Sequence, residues 1–471
     1  MRIAAIDQGT TSTRCLVISE DGAGRVLTQV AASRRHAQHH PAAGWVEHDA
    51  EELLANIRAV LAAAGPVDAI AIANQGESCL AWDAMTGAAL SPVIVWQDAR
   101  TAQALEALGP AADARSKAVT GLPLDPYFSA SKLAFLIRNV PAVAAAHAAG
   151  RLRLGTTDAF FLDRLAGAFA TDLATASRTG LLDLSEGVWS EEMCALYRVP
   201  IGCLPEIRPV DAGFGLIDGV PVQASIVDQQ AALYGHGCRQ PGDCKITFGT
   251  GAFLLAVSGA ERPEAGGLLP TIGWMRDREA PVYAIEGGVY DAGAALEWLK
   301  RLRLYDEVTE LDGFDGPSAI SRGIAFVPAL SGLAAPYWDR NAAPLMIGMD
   351  HATSRQDLCR AAIEGIALLT AGLIDAAGPA VGGAAAISID GGVSQSRYFA
   401  RCLASASGRS ITLPAMHELT ALGLAELCGI DGAPVRADAR HVSPDNTLTP
   451  ADRRRFHAAV ERARGWRTTD A

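Results

Sequence analysis

One pattern occurs twice, about half the chain apart, and it limits the fold more than any other feature. Near the start, Arg2 to Ile6 reads as a strand, Asp7-Gln8-Gly9-Thr10-Thr11-Ser12-Thr13 as a polar turn, and Cys15 to Ile18 as a returning strand. Near the middle, Cys244 to Phe248, Gly249-Thr250-Gly251 and Phe253 to Val257 repeat the plan. Both are hairpin candidates. Their loops combine Gly with Thr, so backbone N–H groups and hydroxyls can be aimed at a phosphate where glycine permits close approach. Two such devices imply two related domains facing one cleft.

Strands alternate with helices around each hairpin. Asp49 with Glu52 reads as a capping-box-like start for a helix from Glu51 to Ala64. Val67 to Asn74 and Val93 to Trp96 read as strands. In the second half Asp291 opens a helix through Leu302, Asp357 to Ala377 forms a long apolar-striped helix, and Ile387 to Asp390 is a strand ending at Gly391-Gly392. This alternation predicts an α/β fold. The Gly/Pro-containing stretch from Gly235 to Pro241 marks the boundary, giving domains over 1–237 and 238–471. The Ala142 to Ala149 run and the tail beyond Pro450 carry no readable chemistry, and Arg453-Arg454-Arg455 reads as a solvated helix face.

Composition narrows the function classes. A formal net charge of −12 with scattered basic residues argues against nucleic acid as a partner, because a phosphate backbone needs a basic face. The nine cysteines are dispersed, with no CxxC pair and no Cys/His cluster at metal-ligand spacing, which suits a reducing compartment. MRIAAID runs straight into a strand, leaving no room for a signal peptide. No uninterrupted apolar stretch reaches the roughly 18 residues of a membrane span. The expectation is a cytoplasmic protein with no membrane partner.

Several residues could carry chemistry, and each has a plain structural alternative. Asp7 can organise Mg²⁺ and its waters beside a triphosphate, or simply end a strand. Arg14 can reach a phosphate or pair on the surface. Asp228, before Gln229-Gln230-Ala231-Ala232-Leu233, is either a helix N-cap or a general base for an attacking hydroxyl. Asn74-Gln75-Gly76-Glu77 ends a strand where α/β sheets place ligands, or makes an Asx turn. Trp82, Trp96 and Tyr127 suit a core or a rim as well as a substrate wall. Asp390-Gly391-Gly392 can admit an adenosine.

Their order along the chain resembles the FGGY family of carbohydrate kinases, and within it the glycerol kinases. The resemblance runs through Asp7-Gln8-Gly9-Thr10-Thr11-Ser12, Gly44-Trp45-Val46-Glu47-His48-Asp49, Ile94-Val95-Trp96-Gln97-Asp98 and Thr120-Gly121-Leu122-Pro123-Leu124-Asp125-Pro126-Tyr127-Phe128-Ser129. It continues through Ala176-Ser177-Arg178-Thr179, Asp228-Gln229-Gln230-Ala231-Ala232-Leu233, Phe248-Gly249-Thr250-Gly251, Ala335-Pro336-Tyr337-Trp338-Asp339 and Asp390-Gly391-Gly392. It implies two ribonuclease-H-like domains, as in actin and hexokinase, and transfer of a phosphate from ATP, with Mg²⁺, to a terminal hydroxyl of a small polyol or sugar. It also implies a homodimer or homotetramer. By the same resemblance Asp228 is the catalytic base and Asp7 the carboxylate near Mg²⁺. Gly76, Glu77, Trp96, Tyr127, Asp228, Gln229 and Phe253 fall at polyol positions. Thr10, Thr11, Ser12, Arg14, Gly249, Thr250, Gly251, Gly293, Glu297, Gly391, Gly392 and Ser396 fall at ATP positions.

Four residues depart from the pattern. Gly76 stands where glycerol kinases have an Arg, Val227 where a Gly precedes the base, Ser396 where an Asn contacts adenine, and Phe135 at a signature Trp. Losing the guanidinium removes donors and predicts an opened pocket that suits a four- or five-carbon polyol or ketose such as erythritol, threitol, xylulose or ribulose, unless another residue or a water takes the guanidinium's place. An actin-like ATPase that uses nucleotide as a switch, and a sensor without turnover, are the readings from other classes.

Overall fold

The computed structural model describes residues 1–21, 24–264, 266–378 and 386–467. The first half holds β1 (Arg2–Gln8), β2 (Ser12–Glu20), β3 (Val26–Arg35), α1 (Ala50–Ala64), β4 (Ala69–Asn74), β5 (Val220–Val227) and α2 (Asp228–Gly235). The second holds β6 (Cys244–Phe248), β7 (Ala252–Gly259), β8 (Val282–Val289), α3 (Gly293–Arg301), α4 (Arg355–Ala376), β9 (Ala386–Gly391), β10 (Ser410–Leu413) and α5 (Leu419–Leu427).

Both halves build the same sheet. The first runs β3-β2-β1-β4-β5 and the second β8-β7-β6-β9-β10, each with a short strand added at one or both edges. In each, three antiparallel strands are followed by two parallel ones. These are the two related domains that the doubled hairpin predicts, with the ribonuclease-H-like architecture that the family resemblance implies. The central strands β1, β4 and β6 are nearly continuous buried runs because helices cover both sheet faces.

Small departures have local causes. Asp49 caps α1 through the Glu51 and Glu52 N–H groups, but Glu52 accepts from Ala37 N at 3.3 Å instead of closing a capping box. Asp291 does not open α3. Its carboxylate accepts from the N–H (2.6 Å) and hydroxyl (3.0 Å) of Ser331, and the helix starts two residues later. Of the arginine trio, Arg453 pairs with Asp375, and Arg455 donates to the Ile320 and Ser321 carbonyls, so that face is tied down as well as solvated.

A four-stranded sheet, three of whose strands lie between β4 and β5 and the fourth, Glu47–His48, before α1, packs with helices Gly109–Thr120, Ser129–Asn139 and Pro141–Ala148. It carries Trp96 and Tyr127 to the cleft. The halves meet along α2 and α5, where a Cβ on Gly235 would sit 1.9 Å from the Leu419 carbonyl and one on Gly423 1.9 Å from the Ala231 carbonyl. Only glycine allows that approach. One apolar cluster spans both halves, from Ile3 to Leu427. Among the described residues no helix is long and apolar enough to cross a membrane.

Candidate active site

Three neighbouring parallel strands, β1, β4 and β5, end level with one another: Gln8 and Val227 are both register partners of Asn74. The residues that follow therefore emerge together at the carboxyl edge, where open α/β sheets bind ligands. They are the Gly9 turn, the Gln75–Glu77 corner and Asp228. Glu77 turns the corner at φ 57°, and its carbonyl accepts from the Ser129 hydroxyl at 2.8 Å. The second sheet repeats the device, since Phe248 and Gly391 are partners and Gly249 and Gly392 leave side by side.

All seven residues expected at the polyol line one cavity of about 100 Å³: Gly76, Glu77, Trp96, Tyr127, Asp228, Gln229 and Phe253. Thr10, expected at ATP, lines it too, through a hydroxyl that accepts from Trp96 Nε1 at 3.0 Å. Trp96 and Tyr127 meet edge to face, 5.5 Å between centroids, whereas Trp82 is wholly buried in the core. Gly249, Thr250, Gly293, Glu297, Gly392 and Ser396 line a separate groove of about 630 Å³ in the second half. The second hairpin serves both spaces, with its turn in the groove and Phe253 in the cavity.

Asp7, Thr11, Ser12, Arg14, Gly251 and Gly391 line neither space. Arg14 forms an ion pair with Glu418, just before α5, so the group expected at a phosphate is held by the opposite half. Gly251 and Gly391 are required by packing: a Cβ there would lie 2.6 Å from the Val289 carbonyl and 2.2 Å from the Phe248 carbonyl.

Asp228 begins α2 rather than capping it. Val227 holds the cap position, and Asp228 Oδ1 accepts from Gln229 N at 2.7 Å. Burial pushes the Asp228 carboxyl up to about 8, aided by the charges of Asp7 and Glu77 and opposed by the Gln229 N–H and Lys245. Burial likewise lifts Asp7 to about 6, with Glu418 adding to the rise and Arg14 opposing it. Burial raises Glu77 as well, against the pull of Arg178.

A carboxyl raised on folding stabilises the fold while protonated. Asp228 therefore contributes fully below its unfolded pKa near 4, and the contribution is lost as pH climbs through about 8. Between pH 6 and 8.5 the ligand-free protein should lose several degrees more in Tm than Asp228→Asn does. Parallel Tm curves for the two proteins would contradict the raised value.

Sequence reasoning left several groups unassigned. Arg178, 2% exposed, lies between Glu77 (Nε to Oε1, 2.8 Å) and Glu286 of β8 (Nη2 to Oε1, 3.1 Å) at the cavity wall. Lys245, wholly buried on β6, donates to Gln229 Oε1 at 2.6 Å and to Thr247 Oγ1 at 3.1 Å. Lys132 donates to the carbonyls of Tyr127 (2.9 Å) and Trp96 (3.3 Å) and so fixes both aromatics. Arg301 and Tyr305 line the groove. No local pattern marks these residues, because each is defined by partners from other segments.

Beside Gly76, where the sequence predicts an opening, a Cβ would lie 3.0 Å from Val227 Cγ2, so a neighbouring side chain takes part of the room.

Residues 2–235 match the N-terminal domain of the FGGY family of carbohydrate kinases, and residues 244–431 match its C-terminal domain. A glycerol kinase of Geobacter sp. (strain M21) is 39% identical over 489 residues, spanning 98% of this chain and 97% of its own. The crystal structure of Plasmodium falciparum glycerol kinase with ADP superposes with a TM-score of 0.87 at 28% identity, over 98% of both chains. A xylulose kinase from Rhodospirillum rubrum shares the fold with a TM-score of 0.83 at 22% identity, over 97% of both chains.

Proposed function

For a chain that belongs to the FGGY family of carbohydrate kinases, and so uses ATP to phosphorylate a small polyol or sugar, we propose that glycerol is the acceptor and Asp228 the base. The observation that carries this reading is one small cavity. It gathers Glu77, Asp228, Gln229, Trp96, Tyr127 and Phe253 around about 100 Å³, with Val227 crowding the room beside Gly76. Residues 1–237 would then hold the acceptor, the first phosphate loop and the base. Residues 238–471 would hold the second loop and the nucleoside, bound in the 630 Å³ groove.

The side chains suit these roles. Asp228 takes the proton of a terminal hydroxyl as the oxygen attacks the γ-phosphorus. The bond to the β-phosphate oxygen breaks, and ADP leaves. Once ionised, a carboxylate whose pKa is raised towards 8 is a stronger proton acceptor than an exposed one. The Lys245 ammonium can only donate, so Gln229 Oε1 faces it and Gln229 Nε2 is left to donate to a substrate hydroxyl. Glu77 accepts from another hydroxyl, and the Trp96 and Tyr127 rings wall the carbon chain. The amides of the Gly9–Ser12 and Gly249–Gly251 turns can hold the phosphates between the halves.

Among the described residues no cluster of three or more His, Cys, Asp or Glu could hold a metal ion alone. Asp7, a half-buried carboxylate pressed by the charge of Glu418, fits Mg²⁺ carried in with ATP and shared through water. The ion would supply charge neutralisation to the phosphates. The dispersed free cysteines support a cytoplasmic setting for this chemistry.

The test is ADP release, coupled to NADH oxidation, across glycerol, dihydroxyacetone, erythritol, threitol, xylitol, ribitol, xylulose and ribulose. Glycerol should give the highest kcat/KM. A longer substrate ahead by about tenfold, about 1.4 kcal/mol of transition-state preference, would overturn the acceptor assignment.

A further inference from the structure

Gly76 and Val227 belong to different strand ends but share one wall of the cavity, between Glu77 and Asp228. Gly76 is not among the positive-φ glycines, so its backbone does not call for glycine. Its only close neighbour is Val227 Cγ2, 3.0 Å from where a Cβ would stand. Val227 has no freedom to withdraw. It is the last residue of β5, register-paired with Asn74, and fills the cap position of α2 at 2% exposure. A β-branched side chain in such a place has one favoured rotamer. A side chain at position 76 would therefore crowd one on the neighbouring strand.

We propose that Gly76 and Val227 act as one specificity element, in which the Val227 isopropyl group takes the room beside Gly76 and limits the acceptor to a short polyol. The inference deepens the acceptor assignment above and rests on it. It has two consequences. A side chain restored at position 76 while Val227 remains must push that methyl group aside by a few tenths of an ångström. Trimming Val227 lengthens the cavity along the acceptor chain, because its methyl groups form the wall between the base and Glu77. The wall is apolar, so it offers no hydrogen bond to a fourth hydroxyl and excludes a longer chain by contact alone.

The test is a double-mutant cycle of Gly76→Ala, Val227→Ala and the pair, read as kcat/KM for glycerol and for erythritol, with Tm and the KM for ATP as folding controls. Gly76→Ala alone should lower kcat/KM for glycerol by about tenfold. In the Val227→Ala background the same change should cost less than threefold. Val227→Ala alone should raise the erythritol-to-glycerol ratio about tenfold. That ratio compares two substrates on one protein, so partial unfolding cancels out of it. Additive effects with an unchanged ratio, in an enzyme that still phosphorylates glycerol, would overturn the coupling and leave the acceptor assignment standing. A wild-type protein that phosphorylates no polyol would remove the acceptor assignment and this inference with it.

Discussion

Asp228→Asn should lower kcat by about 1,000-fold, about 4 kcal/mol of transition-state stabilisation, while ATP binding stays within about twofold of wild type. Asn has the shape of Asp and keeps an oxygen for the Gln229 N–H that Asp228 Oδ1 accepts at 2.7 Å, so the start of α2 is preserved. It cannot take a proton from the attacking hydroxyl. The nucleotide groove is lined entirely from the second half and does not include position 228, which is why the two readouts separate. Stability should not suffer. The amide resembles the neutral carboxyl that burial favours below about pH 8, and it removes a charge that Asp7 and Glu77 oppose. Wild-type turnover in this variant would remove Asp228 as the base. The same assay separates the actin-like alternative, since ATP hydrolysis by the wild type that ignores added polyol would point to a nucleotide switch.

Most of the fold could be read from the sequence because its strongest signals are local. Each hairpin is a strand, a Gly/Thr turn and a strand within about twenty residues, and the register Cys244↔Ala256 to Phe248↔Ala252 follows from that spacing. The strand ending at Asn74 and the long helix from Arg355 also show in their own residues. What failed locally was the competition at helix starts. Asp228 reads as a cap or a base and Asp291 as the opening of a helix, yet Asp228 is the first helical residue and Asp291 serves Ser331. Asp favours the cap and the first turn alike, so a shift of one or two residues leaves no trace in composition.

The site was legible as residue types in order, and less so as a shape. Lys245 reads as one more member of a strand. Only the fold brings Gln229 to its ammonium, and with it an orientation for the amide. Gly76 shows the limit best. A missing side chain reads as a vacancy, and whether it is one depends on Val227, which reaches it across the β4–β5 pairing. Arg178 was visible only as part of a matching stretch, because its partners Glu77 and Glu286 lie 101 and 108 residues away.

Those partners make Arg178→Met the second large effect, this time on stability as well as substrate. Arg178 and Glu77 come from the first half and Glu286 from β8 of the second, so the trio crosses the cleft beneath the acceptor. Removing the guanidinium leaves two buried carboxylates, 5% and 7% exposed, facing one another with no cation between them. Breaking a buried pair from one side costs about 3–5 kcal/mol, and in a chain of this size Tm should fall by roughly 3–5 °C. The loss should depend on pH in a defined sense. Without Arg178 the two carboxylates resist ionising together, so the variant retains a proton that the unfolded chain releases above pH 4 to 5. Its deficit against wild type should be small near pH 5 and grow to its full size by pH 8. The KM for glycerol should rise too, because a protonated Glu77 presents a donor where the cavity holds an acceptor. Arg178→Lys should recover part of the stability only, since a point charge on a shorter stem cannot span both carboxylates as a planar guanidinium does. A Tm within about 2 °C of wild type, with parallel pH curves, would mean that the trio carries no share of the alignment of the two halves, leaving it to apolar packing and contacts such as the Arg14–Glu418 ion pair.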